Sequence, residues 1–351
     1  MAHCPQIRSP EALQQLFKEL GLITRSASMV PLLQQAYKAA HASDITLLIE
    51  GETGTGKQVL AQAIHRLDQK RSSGPFITVH CSTVNETLAE SELFGHHRGA
   101  FSGAHSDRPG LFLAANRGTI FLDDVSDLPV VLQPKLLDVL QRGILRAVGS
   151  DREVPIDVRI IAATNRPLLP LVKENRFRED LYHRLNVIRL YLPPLKLRAD
   201  DLEQLLLTLA RRHQNLFEPV EGVAPELLNY LRTLPFPGNI RELENSVQRM
   251  LFAKTDGTSL TLADWKHQTD QDQPDGTREL LTVAAGSLWK AMRDLDLPYT
   301  RAFRDLEKEV LDMALRLGEG TRRDLARRLH TSERTLYYKI KLHHLPQKFR
   351  T

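Results

Sequence analysis

The apolar positions change period along the chain, and the changes mark out its elements. Residues 11–20 and 29–42 space their apolar side chains as helices do, with Leu32, Leu33, Ala36, Ala39 and Ala40 on one face of the second. The run Ile45-Thr46-Leu47-Leu48-Ile49 is short, continuous and rich in β-branched residues, so it reads as a buried strand. Helical spacing returns at Val59, Leu60, Ala63 and Ile64. The same exchange repeats three times. Strands are predicted over residues 75–81, 119–122 and 158–165, and helices over 86–94, 110–115 and 132–141. Strands alternating with helices predict an α/β fold, a parallel sheet with helices on both faces.

Past Arg189 the strand signal fades. Residues 201–214, 224–233 and 240–253 read as helices separated by Pro193-Pro194 and by Pro235-Phe236-Pro237-Gly238-Asn239, which together suggest a small helical lid. Residues 266–298 are more polar and weakest at Gln271–Gly276, where a linker is expected, with a possible helix at 288–295. Three helices follow: a long one over 301–317, a short one over 321–329, and a last one capped by Ser332 and running to about Lys341. Short helix, turn and capped basic helix form a helix-turn-helix. The expected division is therefore 1–22 N-terminal segment, 23–190 α/β subdomain, 191–265 lid, 266–298 linker and 299–351 helix-turn-helix.

Between the first strand and its helix lies Gly51-Glu52-Thr53-Gly54-Thr55-Gly56-Lys57, a P-loop pattern in strand–loop–helix context. Its glycines allow backbone N–H groups to curl around phosphates, and Lys57 reaches the outer ones. The hydroxyl residue that usually follows, a Mg²⁺ ligand, is replaced by Gln58. The third strand ends in Asp123-Asp124, where a P-loop protein holds the Mg²⁺ of bound ATP and activates water.

Charge alters the reading of the tail. The net charge is +4, but residues 301–351 carry 13 Lys/Arg against 7 Asp/Glu, so the other 300 residues sum to −2. A basic helix-turn-helix on a near-neutral body points to double-stranded DNA. The candidate contacts are Arg322 and Arg323 on the short helix, and Ser332, Arg334, Thr335, Tyr338 and Lys339 on the last one. A helical oligomerisation module is the alternative, and the two are compatible. No apolar run is long enough for a membrane and no signal-peptide pattern opens the chain, so a cytoplasmic location is expected. Two cysteines, Cys4 and Cys81, make neither a disulfide framework nor a metal site.

Together these motifs resemble the bacterial enhancer-binding activators of sigma-54 RNA polymerase, AAA+ ATPases with a C-terminal helix-turn-helix. The likeness covers residues 23–265 and 298–345. Residues 51–58 resemble that family's P-loop, GESGTGKE, which also lacks the hydroxyl. Glu90–His96 followed by Gly99-Ala100-Phe101-Ser102-Gly103-Ala104 resembles SELFGH…GAFTGA. The resemblance implies that this loop contacts sigma-54, with Phe101 at its tip. It makes Asn165 a first sensor, Arg178 and Arg184 the arginines that reach a neighbouring subunit's γ-phosphate, and Arg241 a second sensor on the nucleotide. It also implies ATP and Mg²⁺ as cofactors, a homo-oligomeric ring (a hexamer), and DNA upstream of promoters. No receiver domain precedes the ATPase, so control by a separate regulatory protein is one expectation.

The sequence departs from the family pattern at five places. Ser102 replaces Thr, Asp124 replaces Glu, and His80 replaces the Asn that holds that Glu in a waiting state. Arg117 replaces the first Gly of GGT, and His97 replaces an acid beside the loop. His80 and Asp124 are read as a compensated pair, a larger partner for a shorter acid. The expected function is an ATP-hydrolysing, DNA-bound activator that remodels sigma-54 holoenzyme for promoter opening. The alternative is a DNA-binding regulator with weak or vestigial ATPase that acts without sigma-54.

Overall fold

The computed structural model describes residues 9–82, 86–213, 219–254, 257–271, 286–290, 292–294, 298–317, 324–326 and 333–343. The chain divides into two compact units, one up to Gln268 and one from Thr269. Each is described by itself.

The first unit is built on a parallel sheet of five strands: β1 (Leu47–Glu50), β2 (Phe76–His80), β3 (Thr119–Asp123), β4 (Arg159–Thr164) and β5 (Ile188–Tyr191), in the order β2-β3-β4-β1-β5. The central strands are apolar throughout because both faces are covered. Successive residues serve opposite cores. Leu48, Ile120, Leu122, Ile160 and Ala162 pack on one side, and Leu47, Ile49, Phe121, Ile161 and Ala163 on the other. β5 is absent from the sequence prediction. It is an edge strand in register with β1, and its Arg189 and Tyr191 face solvent, so it lacks a continuous apolar run. Two short ribbons, Gly95–His96 with Arg108–Pro109 and Ile144–Arg146 with Glu153–Pro155, are also absent from that prediction, being too brief to show a period.

A buried ion pair fastens the sheet's lower end. Arg159 and Asp68 are fully buried and in contact. The guanidinium also donates to the carbonyls of Ala39 (2.6 Å) and Ala40 (3.3 Å), and Asp68 accepts from Ser43 Oγ (2.6 Å). The pair thereby ties the ends of two helices to the start of β4.

The lid comprises helices Leu202–Arg212, Pro225–Leu231, Asn239–Ala253 and Leu262–Gln271 around a separate apolar core. The last of these crosses the expected lid–linker border. Trp265 is buried in the lid core, and Asp264 accepts from Thr261 N at 2.8 Å, a local cap that starts the helix before the polar stretch begins. Residues 286–290 and 292–294 are also helical, while 272–276, the weakest part of the expected linker, lie outside the described residues.

In the second unit, helices Tyr299–Leu317 and Glu333–Leu342 and residues 324–326 close on Leu311, Ala326, Leu336 and Ile340.

Candidate nucleotide cleft, loop and DNA-facing helix

The strand order places the carboxyl ends of β3, β4 and β1 side by side, and so gathers residues 51–57, Asp123-Asp124 and Asn165 on one edge. Such an edge is where α/β sheets bind nucleotides. The loop 51–56 leads into the helix Lys57–Leu67 through Gly56 at φ 104°. Thr55 is buried and donates to the carbonyl of Glu52 at 2.8 Å. Lys57 is only 7% exposed, and its Nζ donates to the carbonyls of Gly51 (2.9 Å) and Glu52 (3.2 Å). Burial holds its ammonium below the usual lysine range, while Asp124 and Asp123 pull the other way. A strongly donating ammonium is thus stored inside the loop on weak carbonyl acceptors.

The lid closes directly on this loop. Asn239 donates to Glu52 Oε2 (3.1 Å) and to the carbonyl of Thr53 (3.0 Å), and its Oδ1 accepts from Leu195 N (2.7 Å). Ile240 N donates to the carbonyl of Gly54 at 2.9 Å. A Cβ on Gly54 would lie 2.1 Å from the carbonyl oxygen of Gly238, so only glycine allows the contact. Between loop and lid opens a cleft of about 280 Å³. Lys57, Gln58, Asp123 and Arg241 line its polar side, and Leu22 and Ile23 line its apolar side. Arg241 is exposed at its edge.

Sequence reasoning missed the apolar wall. It comes from Leu22 and Ile23 near the N-terminus and from Leu205 and Leu209 of one lid helix, two stretches that carry no motif. It also missed the buried polar contacts beneath. Buried Arg198 donates to the carbonyl of Thr55 at 2.7 Å. Buried Asp201 accepts from Thr24 Oγ1 (2.9 Å), Arg25 N (2.6 Å) and Ser26 N (2.9 Å). Burial raises the Asp201 carboxyl above its ordinary range, and these hydrogen bonds and Arg198 act against that shift.

The two acids differ in conformation. Asp123 ends β3, whereas Asp124 turns into the left-handed region at φ 52°, ψ 51°. Among non-glycine residues Asp is one of the few that occupy that region readily, which suits it to this backbone. Burial, and then the charge of Asp123, push the Asp124 carboxyl above the usual range. The expected His80–Asp124 pairing takes a different form. Parallel register sets His80 opposite Asp123, and the ring Nδ1 lies 3.4 Å from Asp123 Oδ2, because Asp124 has already turned away into its own helical turn. Asn165 donates to Thr53 Oγ1 at 3.2 Å, and its Oδ1 is buried without a hydrogen-bond partner.

Arg178 and Arg184 are engaged away from the cleft. Arg178 forms a two-pronged pair with Asp180 at 3.0 and 2.7 Å, and Arg184 donates twice to the carbonyl of Leu140 at 3.2 and 3.1 Å. Both bear on solvent.

Residues 99–104 form a tight loop above the ribbon Gly95–His96/Arg108–Pro109, closed by Gly99 N to the carbonyl of Ala104 at 2.9 Å. Phe101 is 38% exposed and rests edge-on against His96, ring centroids 5.0 Å apart. Ser102 is exposed. His97 has a structural account: its Nδ1 lies 3.3 Å from Asp107, which also accepts from Arg98 N at 2.7 Å. The acid at the base of the loop thus comes from its returning limb. Arg117 has one too, since it sits at φ 63°, a conformation that favours glycine.

On the last helix Thr335 and Tyr338 are exposed, Tyr338 by 64%, while Lys339 and the buried His343 both contact Glu307 of the long helix. Arg322, Arg323 and Ser332 lie outside the described residues, as does the side chain of Arg334. Among the described residues no helix is long and apolar enough to cross a membrane.

Comparison with known proteins agrees with this architecture. Residues 22–191 match the sigma-54 interaction domain, 196–281 the AAA+ ATPase lid domain, and 302–342 the helix-turn-helix of bacterial regulatory proteins of the Fis family. The transcriptional regulatory protein GlrR of Escherichia coli K12 is 39% identical over 319 residues, spanning 87% of this chain and 71% of GlrR. The regulatory protein AtoC of the same strain is 39% identical over 320 residues, 91% of this chain and 67% of AtoC. Crystal structures of NtrX from Brucella abortus align with TM-scores of 0.67 in complex with ATP and 0.68 in complex with ADP. They are 27% and 26% identical, and cover 94% and 95% of this chain and 73% and 72% of NtrX. The chain belongs to the bacterial enhancer-binding transcriptional activators that act with sigma-54, with a AAA+ core and a Fis-type DNA-binding helix-turn-helix.

Proposed function

We propose that this chain hydrolyses ATP as a homo-oligomeric ring, a hexamer, bound to DNA upstream of a promoter, and spends the energy on remodelling sigma-54 RNA polymerase holoenzyme so that the promoter opens. The observation that carries the reading is the convergence of Lys57, Asp123 and Arg241 on one cleft between P-loop and lid. Lys57 is pre-aimed by two carbonyls that a phosphate oxygen, a far better acceptor, can displace. Gly51–Gly56 and the start of the helix Lys57–Leu67 supply backbone donors to the phosphates. Arg241 stands at the cleft edge to sense the nucleotide.

The donor set fits a divalent cation. Asp123, Asp124 and Asp127 concentrate negative charge at the end of β3, enough to help burial push the Cys81 thiol up to about 12. Among the described residues no three His, Cys, Asp or Glu side chains form a metal cluster, and a Mg²⁺ here would draw its other ligands from phosphate and water, as is usual for that ion. Asp123 would hold the Mg²⁺, whose charge offsets that developing on the transferred phosphoryl group. Asp124, with its raised carboxyl, is the candidate base for the attacking water, and the partnerless Oδ1 of Asn165 is a second acceptor for it.

Arg178 and Arg184 lie outside their own cleft, which suits arginines that complete a neighbour's site. Phe101 and Ser102 at the loop tip are the candidate contacts with sigma-54. Thr335, Tyr338, Lys339 and Arg334 are the DNA face, with Arg322, Arg323 and Ser332 beside it in sequence. A separate regulatory protein is a further expected partner.

In vitro transcription from a sigma-54 promoter tests the reading. Open complexes should form with ATP and wild-type protein, and fail with Lys57→Ala. Open complexes that form equally without hydrolysis, or never form, would favour a DNA-binding regulator whose ATPase is vestigial.

A further inference from the structure

Beneath the P-loop lies a buried cation that does not line the cleft, and its role rests on the nucleotide site proposed above. Arg198 is 1% exposed. One nitrogen of its guanidinium donates to the carbonyl of Thr55 at 2.7 Å, a second reaches the sulfur of Met29 at 3.9 Å, and Nε is buried without a partner. The other fully buried arginine of this unit described above, Arg159, is in contact with a carboxylate. Arg198 has none within ion-pair distance among the described residues. The acid whose charge reaches it is Asp201, and Asp201 Oδ1 is already taken by Thr24, Arg25 and Ser26. Burial pulls the guanidinium below its ordinary range. A buried cation without a close counter-ion is costly, and an anion nearby offsets that cost.

The contact with Thr55 shows which anion. The Thr55 carbonyl is one end of a peptide unit whose other end is the N–H of Gly56, and Gly56 lines the cleft. The loop does not need Arg198 to close its turn, because Thr55 Oγ1 and Thr55 N both donate to the carbonyl of Glu52, at 2.8 and 3.4 Å. A cation on a carbonyl polarises the peptide and strengthens its N–H as a donor. In a P-loop such N–H groups cradle the α- and β-phosphates.

We infer that Arg198 is a positioning residue of the nucleotide site: it polarises the Thr55–Gly56 peptide and brings positive charge to the β-phosphate of a bound nucleotide without touching it. Lys57 approaches the phosphates from within the loop, and Arg198 acts through the backbone from the side facing away from the cleft.

The test uses the full chain and compares ATP, ADP and AMP, by calorimetric titration for the first two and by displacement of ADP for AMP. Arg198→Met keeps an unbranched chain beside Met29 but removes the charge and its donors. It should lose about tenfold or more in affinity for ATP and ADP and under about threefold for AMP, which has no β-phosphate. Arg198→Lys restores the charge and should recover part of the ATP and ADP affinity. A role confined to the shape of the loop would weaken all three nucleotides alike, whatever the charge at this position. Thermal melts without nucleotide establish that each variant is folded. If Arg198→Met is not, Arg198→Gln against Arg198→Lys carries the same comparison. Equal losses for the three nucleotides, or no loss, overturn the inference and leave the cleft standing. Failure of wild-type protein to bind ATP and ADP overturns the cleft reading and the inference with it.

Discussion

At the scale of single residues the chain tolerates strain where its family pattern has glycine. Arg117 holds φ 63° while its N–H donates to the carbonyl of Asp157 at 2.7 Å. The conformation is imposed by packing, since the carbonyl of Arg117 lies so close to Gly74 that a Cβ there would be 2.4 Å from it. A left-handed conformation costs a residue with a Cβ about 1–2 kcal/mol, and glycine pays about 0.5–1 kcal/mol in entropy instead. Arg117→Gly is therefore expected to stabilise the fold by about 0.5–1 kcal/mol. A urea titration with unchanged slope and a higher midpoint would show it. A lower midpoint would mean that the arginine side chain contributes more than its backbone costs. Asp124 is a different case. It is also left-handed, but Asp occupies that region more readily than Arg, so the same change there would relieve less strain.

At the scale of elements, local pattern and tertiary context divide what could be read in advance. The first four strands and their helices were legible because each is a continuous or periodic apolar run longer than a turn. β5 was not, since an edge strand with Arg189 and Tyr191 outward shows only half a pattern. The P-loop and Asp123-Asp124 were legible because their chemistry is contiguous. The cleft's apolar wall was not, because Leu22, Ile23, Leu205 and Leu209 meet only after folding. Arg159 inside β4 also gave no warning of its partner, ninety-one positions away. That ion pair predicts a stability effect. Asp68→Asn removes the only carboxylate in contact with the Arg159 guanidinium among the described residues and leaves a buried charge. The cost should be about 3–5 kcal/mol in a denaturant titration. Replacing both residues by apolar ones of similar volume should recover much of that loss. If the single change cost under about 1 kcal/mol, the two main-chain acceptors at Ala39 and Ala40 would be solvating the guanidinium unaided.

At the scale of the whole molecule, Arg212 and Arg241 line the cleft while Arg178 and Arg184 are engaged away from it. Arg184 donates to the carbonyl of Leu140 and Arg178 pairs with Asp180, so on the proposed reading a lone chain would hold nucleotide without either arginine. If neighbouring subunits supply one another's arginines, two kinds of damage become separable. Lys57→Ala should lose nucleotide binding and yet keep its arginines for a neighbour. Arg184→Ala should bind ATP with near wild-type affinity and turn it over slower by roughly 10³–10⁵-fold. Each protein alone is then inactive. Mixed in equal amounts, they should recover ATPase activity, because an Arg184→Ala subunit that holds ATP sometimes sits beside a Lys57→Ala subunit with an intact arginine. The recovered rate should pass through a maximum as the mixing ratio is varied. It should also fall on dilution, as rings dissociate. Activity that stays at the sum of the two inactive proteins at every ratio, while ATP binding by Arg184→Ala is intact, would confine catalysis to residues of one chain. Arg184 would then act through its hold on Leu140 rather than on a phosphate.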